Sequence, residues 1–131
     1  MEKLEYIQGD LVTNKYYTKV LIVTKTVKNM VYTRNRDAFS ETYLSHKDDV
    51  VPMLLTPEIL EKNGWRTQNR WYYYLDVAEG FISYIGIDFK HKSNKGHLYV
   101  EVDGNNMVEI QYCHELQHFL FGLGINHEME V

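Results

Sequence analysis

A single cysteine, Cys113, excludes an internal disulfide and any zinc ribbon built from cysteine pairs. Two prolines and eight glycines in 131 residues leave little material for long flexible linkers. No apolar run approaches the length of a membrane span, and the start, Met1-Glu2-Lys3-Leu4-Glu5, lacks the apolar stretch of a signal peptide. The expectation is a protein of the reducing cytoplasm (the host cytoplasm for a phage-encoded chain), with no membrane partner. Positive charge is scarce too. The formal net charge of -4 disfavours general nucleic-acid binding, which needs Lys and Arg in excess to displace counterions. Repeats, low-complexity segments, a glycine-rich phosphate loop and a nucleophile elbow are all absent.

What is present reads as one α+β domain over 1–131, with a β-rich part over 1–50 and a helix, a β-meander and a main helix over 51–131. A hydrophobic share of 44% and a charged share of 24% suffice for one core. The aromatic excess is tyrosine, eleven residues in all, a side chain suited to half-buried strands and wet binding surfaces.

Gly9-Asp10-Leu11-Val12 reads as a turn entering a strand. Val20 to Thr24 and Val27 to Tyr32 are β-branched and apolar, so the N-terminal part is expected as a meander or barrel-like sheet. The polar stretch 34–49 reads as irregular or as an edge. Thr56-Pro57-Glu58 opens a short helix over 57–63, with Thr56 as cap and Pro57 at the first helical position, and Asn63-Gly64 closes it. A three-stranded antiparallel meander follows, over 71–77, 81–89 and 97–102, with loops at 78–80 and 91–96. Asp103-Gly104 is read as the turn into a main helix over 107–121 that packs on the sheet. Asn106 and Glu109 have capping-box spacing at its start, and Gly122 and Gly124 end it. At 100° per residue its core face holds Val108, Tyr112, Leu116, Phe119, Leu120 and Leu123. Residues 125–131 are expected to return as a short edge strand.

On that helix lies His114-Glu115-Leu116-Gln117-His118. Two histidines four apart share a helix face, the spacing by which a helix offers two imidazoles to one Zn²⁺ with the glutamate as base on bound water. A zinc hydrolase would take His114 and His118 as ligands, His127 or Glu128 as the third, and Glu115 as the catalytic base. The longer zinc-protease pattern fails, since Phe121 and Gly124 stand where a glycine and a third histidine belong. A random shuffle of this composition produces the five-residue motif in roughly 2% of cases. The reading therefore assigns no catalytic residue, no metal and no cofactor, and treats the pair as ordinary helix residues turned away from the apolar face. Cys113 reads as a buried structural thiol, because neighbours in a helix diverge by 100° and His114 cannot activate it.

Trp71-Tyr72-Tyr73-Tyr74 is the second feature. Successive strand residues alternate between faces, so aromatics appear on both sides of the sheet. Trp71 and Tyr73, with Arg66, Arg70, Lys92 and Lys95 nearby in sequence, form a candidate stacking surface beside cations for a nucleotide-like ligand. The competing structural explanation is that the rings complete a core and the basic residues decorate a hydrated turn.

Four segments occur in order: Gly9-Asp10-Leu11-Val12, the run from Leu55-Thr56-Pro57-Glu58 to Asn63-Gly64-Trp65, His97-Leu98-Tyr99-Val100, and Tyr112 to His118 ending near Gly124-Ile125. In these the chain resembles small proteins encoded by gut Bacteroidetes, their phages and their conjugative elements. The resemblance spans nearly the whole length and is most specific over 55–64; the polar 34–49 segment departs from it. It implies a helix over 112–123 that does not depend on both histidines, and it carries over no catalytic residue. The functional expectation is a non-enzymatic binding protein of a phage or mobile element. It would engage a host protein or a small ligand, in a sharper version as a host-defence antagonist that sequesters a nucleotide signal. The alternatives are the zinc hydrolase and a virion or assembly component; homo-oligomerisation is compatible with each.

Overall fold

The computed structural model describes residues 6–77 and 80–131, without the side chain of Phe39. The opening Met1–Glu5 segment and part of the loop expected at 78–80 lie outside the described residues. Among the described residues the fold is mostly sheet: two five-stranded antiparallel sheets and two short α-helices, α+β in the broad sense. The chain divides into two compact units, one of residues 1–54 with 112–129, the other of 55–111 with 130–131.

In the first unit the strands are β1 (Leu11–Asn14), β2 (Val20–Val27), β3 (Met30–Asn35), β4 (Ala38–His46) and β5 (Val50–Pro52). Their spatial order is β4-β3-β2-β1-β5. Among the described residues β4 and β5 are not paired, so the sheet is open and the barrel-like closure expected from sequence does not form. The polar 34–49 stretch is the edge it was read as, but a regular one, because it pairs along β3 from Met30↔His46 to Asn35↔Ala38. Alternation places Leu21 and Val23 of β2 and Val31 of β3 on the buried face, where they join Tyr6, Val12 and Val50 in one cluster. In β1 the adjacent Leu11 and Val12 are both buried, so this strand is covered on both faces.

In the second unit α1 (Pro57–Lys62) forms as its sequence dictates. Thr56 Oγ1 accepts the Ile59 N–H, Pro57 occupies the first turn, and Gly64 at φ +84° turns the chain out toward Trp65. Then come β6 (Arg66–Thr67), β7 (Tyr72–Asp76), β8 (Tyr84–Asp88), β9 (Leu98–Val102) and β10 (Asn105–Ile110), each hydrogen-bonded to the next. The expected three strands are the middle of a five-stranded meander. One face of this sheet buries Tyr73, Ile85, Ile87, Leu98 and Val100, and Leu60 and Trp65 are buried in the same unit.

The main helix departs from expectation at its start. Residues 105–110 are strand, and the helix α2 spans only Cys113–Gly122. Asp103 (φ +50°) and Gly104 (φ +89°) form a two-residue turn between paired Val102 and Asn105, the geometry that joins two antiparallel strands. That turn hands the chain to β10, so the capping box expected at Asn106 and Glu109 does not exist. Val108, placed on the helix core face from sequence, is an exposed strand residue. The helix is capped later: the Glu115 carboxylate accepts the Tyr112 N–H at 2.9 Å. α2 groups with the first sheet, next to β1, and residues 125–131 form no strand.

Candidate functional site

The buried face of α2 is Cys113, His114, Leu116, Gln117 and Leu120, a stripe rotated from the one read off the periodicity. Leu123, expected in the core, is exposed, while His114 retains only 2% of its surface. The histidine pair is therefore neither a solvated pair nor the lining of an open cleft. His114 sits between aromatic rings, with centroids 5.1 Å from Tyr6 and 5.9 Å from Tyr112, and the His118 ring meets it edge-on at 5.5 Å. Burial lowers the His114 pKa, against the opposing pull of Asp10 and Glu115.

The partner of His118 is Asp10, a residue with no exposed surface. His118 Nε2 donates to Asp10 Oδ2 at 2.7 Å, and the same oxygen accepts the Ile7 N–H at 2.8 Å. That hydrogen bond raises the His118 pKa above its ordinary value, with desolvation opposing it. Tyr6 is pushed up to about 12 by burial and by the neighbouring Asp10 and Tyr112, and burial alone drives the Cys113 thiol up to about 12. Cys113 is thus the buried thiol its helix position suggested.

Gln117, inside the motif, holds three backbone groups. Its amide donates to Gly9 O (2.9 Å) and His127 O (3.0 Å), and its oxygen accepts the Leu11 N–H at 3.0 Å. Neither Gln117 nor Asp10 was singled out from sequence. A polar residue within a helix and an acid before a strand carry no signal until the helix lands on them. His127, the proposed third ligand, instead meets the Phe121 ring edge-on at 5.0 Å. Among the described residues no three His, Cys, Asp or Glu side chains are grouped to hold a metal ion. The geometry makes the His-Glu-Leu-Gln-His segment the clamp that ties α2 to the 7–11 segment. Glu115 caps the helix through the Tyr112 N–H.

The aromatic run in β7 resolves by alternation, and Tyr73, expected with Trp71 on a ligand surface, lies on the buried face. Tyr73 is 2% exposed and meets Phe89 edge-on at 5.7 Å, so it belongs to the core. Tyr72 and Tyr74 point to the other face, where Tyr84 of β8 joins them. Across this face Tyr74 pairs with Gly86, and Gly86 pairs with Glu101. Any Cβ on Gly86 would collide with the Tyr72 ring, so glycine is what lets that ring lie across the sheet. The Tyr72 hydroxyl donates to Glu101 Oε1 at 3.1 Å. Burial first, then the Glu101 charge and the Tyr84 hydroxyl, raise its pKa.

Tyr72, Tyr74 and Tyr84, with Gln68, Asn69 and Asp76, line an open pocket of about 320 Å³. Arg66 stands beside it, its guanidinium 5.5 Å from the Tyr74 ring centre and bonded to Asp76 Oδ2 at 3.1 Å. The other expected cations do not line this pocket. Arg70 is exposed at a positive φ of 69°, with its backbone N–H on Thr67 Oγ1, and Lys92 and Lys95 are exposed on the 91–96 loop. Trp71 is half-buried, with Lys90 Nζ 5.3 Å from its ring and the His91 ring 5.4 Å away.

No family model, curated protein or solved structure matches the chain. The first unit also holds a larger cavity, about 600 Å³, lined by Leu11, Ile22, Val23, Phe121 and Met129 with Arg34 and Glu128 among the polar groups. Its mixed aliphatic and oppositely charged lining selects no ligand class, whereas the tyrosine pocket does. Among the described residues no helix is long and apolar enough to cross a membrane.

Proposed function

We propose that the protein is a non-enzymatic binding protein of a phage or mobile element, engaging a host protein through the tyrosine face of its second sheet. One observation carries the reading: Tyr72, Tyr74 and Tyr84 converge on a single pocket that also holds two amides and a carboxylate. Tyrosine is well suited to such a surface, because its ring gives contact area at little entropic cost while its hydroxyl remains hydrated. These half-buried rings are not needed for the core, since the opposite face of the sheet already supplies it. The commitment of Glu115 to the helix cap and of His118 to Asp10 supports a non-enzymatic role. The source is carried by the resemblance over residues 9–12, 55–65, 97–100 and 112–125.

Titration of ¹⁵N-labelled protein with host lysate fractions, followed by purification of the component that shifts the 72–76 and 84–86 amides, tests this. Tyr74→Ala should abolish those shifts while leaving the rest of the spectrum intact. Binding that persists unchanged in Tyr74→Ala, or that maps wholly outside the second sheet, would remove the proposal. A nucleotide-like ligand is the second reading, favoured by one observation, the Lys90 ammonium over the Trp71 indole. It predicts loss on Trp71→Ala instead.

A further inference from the structure

We infer that the ligand of the tyrosine pocket is an arginine side chain of the partner protein, and that Arg66 is an internal stand-in for it. This rests on the reading of the tyrosine face as the binding surface and names what that surface selects. The pocket lining supplies three aromatic rings, one carboxylate and two amides, and among the described residues the one cation against it is Arg66, held at its rim on Tyr74 and Asp76. Glu101 adds a second carboxylate behind the Tyr72 hydroxyl. Ring faces carry negative potential, and a carboxylate at the rim adds to it, so the charge complement of this lining is a cation. A phosphate would meet the Glu101 charge and would have to draw Arg66 away from Asp76.

Among cations, the guanidinium is singled out by what the chain itself puts there. The Arg66 group lies over Tyr74 at 5.5 Å and donates from Nη1 to Asp76 Oδ2 at 3.1 Å. It thus makes the two contacts, ring face and carboxylate, that a planar cation can make at once. Both partners of this ion pair are more than half exposed, at 69% and 62%. Such a pair is weak and screened, so an incoming arginine exchanges for Arg66 at little cost. Gln68 lines the same volume, and its side-chain oxygen can accept a further guanidinium N–H. Asn69 Oδ1 already accepts the Trp71 and Tyr72 N–H groups, which fixes its orientation at the pocket edge.

The test is an NMR titration of the full chain with three blocked peptides, identical except for a central arginine, lysine or citrulline. The arginine peptide should shift the Tyr74, Asp76 and Tyr84 amides, lysine should do so more weakly, and citrulline not at all. Arg66→Ala removes the internal competitor and should tighten the arginine peptide by about two- to five-fold, the span of an exposed cation–ring contact. Tyr74→Leu, which keeps an apolar side chain in the strand, should weaken it by a similar factor. Citrulline binding as well as arginine, or weaker binding in Arg66→Ala, overturns the inference. If the peptides fail but a purified host protein still shifts the same amides, the arginine assignment falls and the binding face stands. If neither shifts them, both fall.

Discussion

Gln117 shows how one side chain can hold a tertiary junction. Replacing it with leucine keeps the volume but leaves the Leu11 N–H and the Gly9 and His127 carbonyls without their partner. Gln117→Leu should cost at least about 2 kcal/mol in urea unfolding, since each buried group left unmade costs about 1–3 kcal/mol. The two histidines beside it respond to pH in opposite senses. The His118 pKa is raised by Asp10. Its contribution is therefore fully present below the unfolded value near 6.5 and is lost as pH rises through the higher folded value. His118→Gln should thus destabilise more at pH 5.5 than at pH 8.5. The His114 pKa is lowered by burial, so its protonation disfavours the fold as pH falls below about 6.5. His114→Gln should lessen the acid sensitivity of unfolding, and an unchanged acid limb would refute this. None of this was legible in the motif, whose spacing reports a shared helix face and says nothing of what that face meets.

At the level of elements, short-range chemistry was readable wherever a local signal had one outcome. Thr56-Pro57 and Asn63-Gly64 bracketed α1 to within one residue, because cap and stop act within a single turn. Asp103-Gly104 had two outcomes, helix entry or hairpin, and the pairing of Val102 with Asn105 selected the hairpin. The alternation in β7 was readable, but its phase was not: the run Trp71-Tyr72-Tyr73-Tyr74 places aromatics on both faces and carries no apolar–polar contrast to set it. Gly86 then decides how the outward face is shaped. Gly86→Ala should displace the Tyr72 ring and break its hydroxyl contact with Glu101, at an overpacking cost of about 1–3 kcal/mol. Tyr72 ring shifts together with a lowered urea midpoint would confirm it; an unmoved ring would not.

For the molecule as a whole, the order of the chain differs from the order of the units. The first unit takes its sheet from residues before 55 and its helix from residues after 111. Leu116, Leu120, Cys113 and Gln117 are all buried there, so the first sheet depends on a segment far along the chain. A chain truncated after Gln111 should lose amide protection across 11–52, although every strand of the first sheet is still present in it. Retained protection in β2 and β3 would show that the sheet stands without the helix. Long-range dependence of this kind also makes folding of the first unit wait on closure of a long loop.

By itself the sequence determined the local pieces: the α+β character, the short helix with its cap and stop, the central strands of the second sheet, and a buried Cys113. These follow from interactions that span a few residues, where side-chain type and backbone conformation leave few choices. Tertiary structure alone decided that His118 meets Asp10, that Gln117 ties three distant backbone groups, and that Tyr72 and Tyr74 look outward with Tyr84. Each of those depends on which face of one element is laid against another, and that choice is made by burial summed over the whole unit.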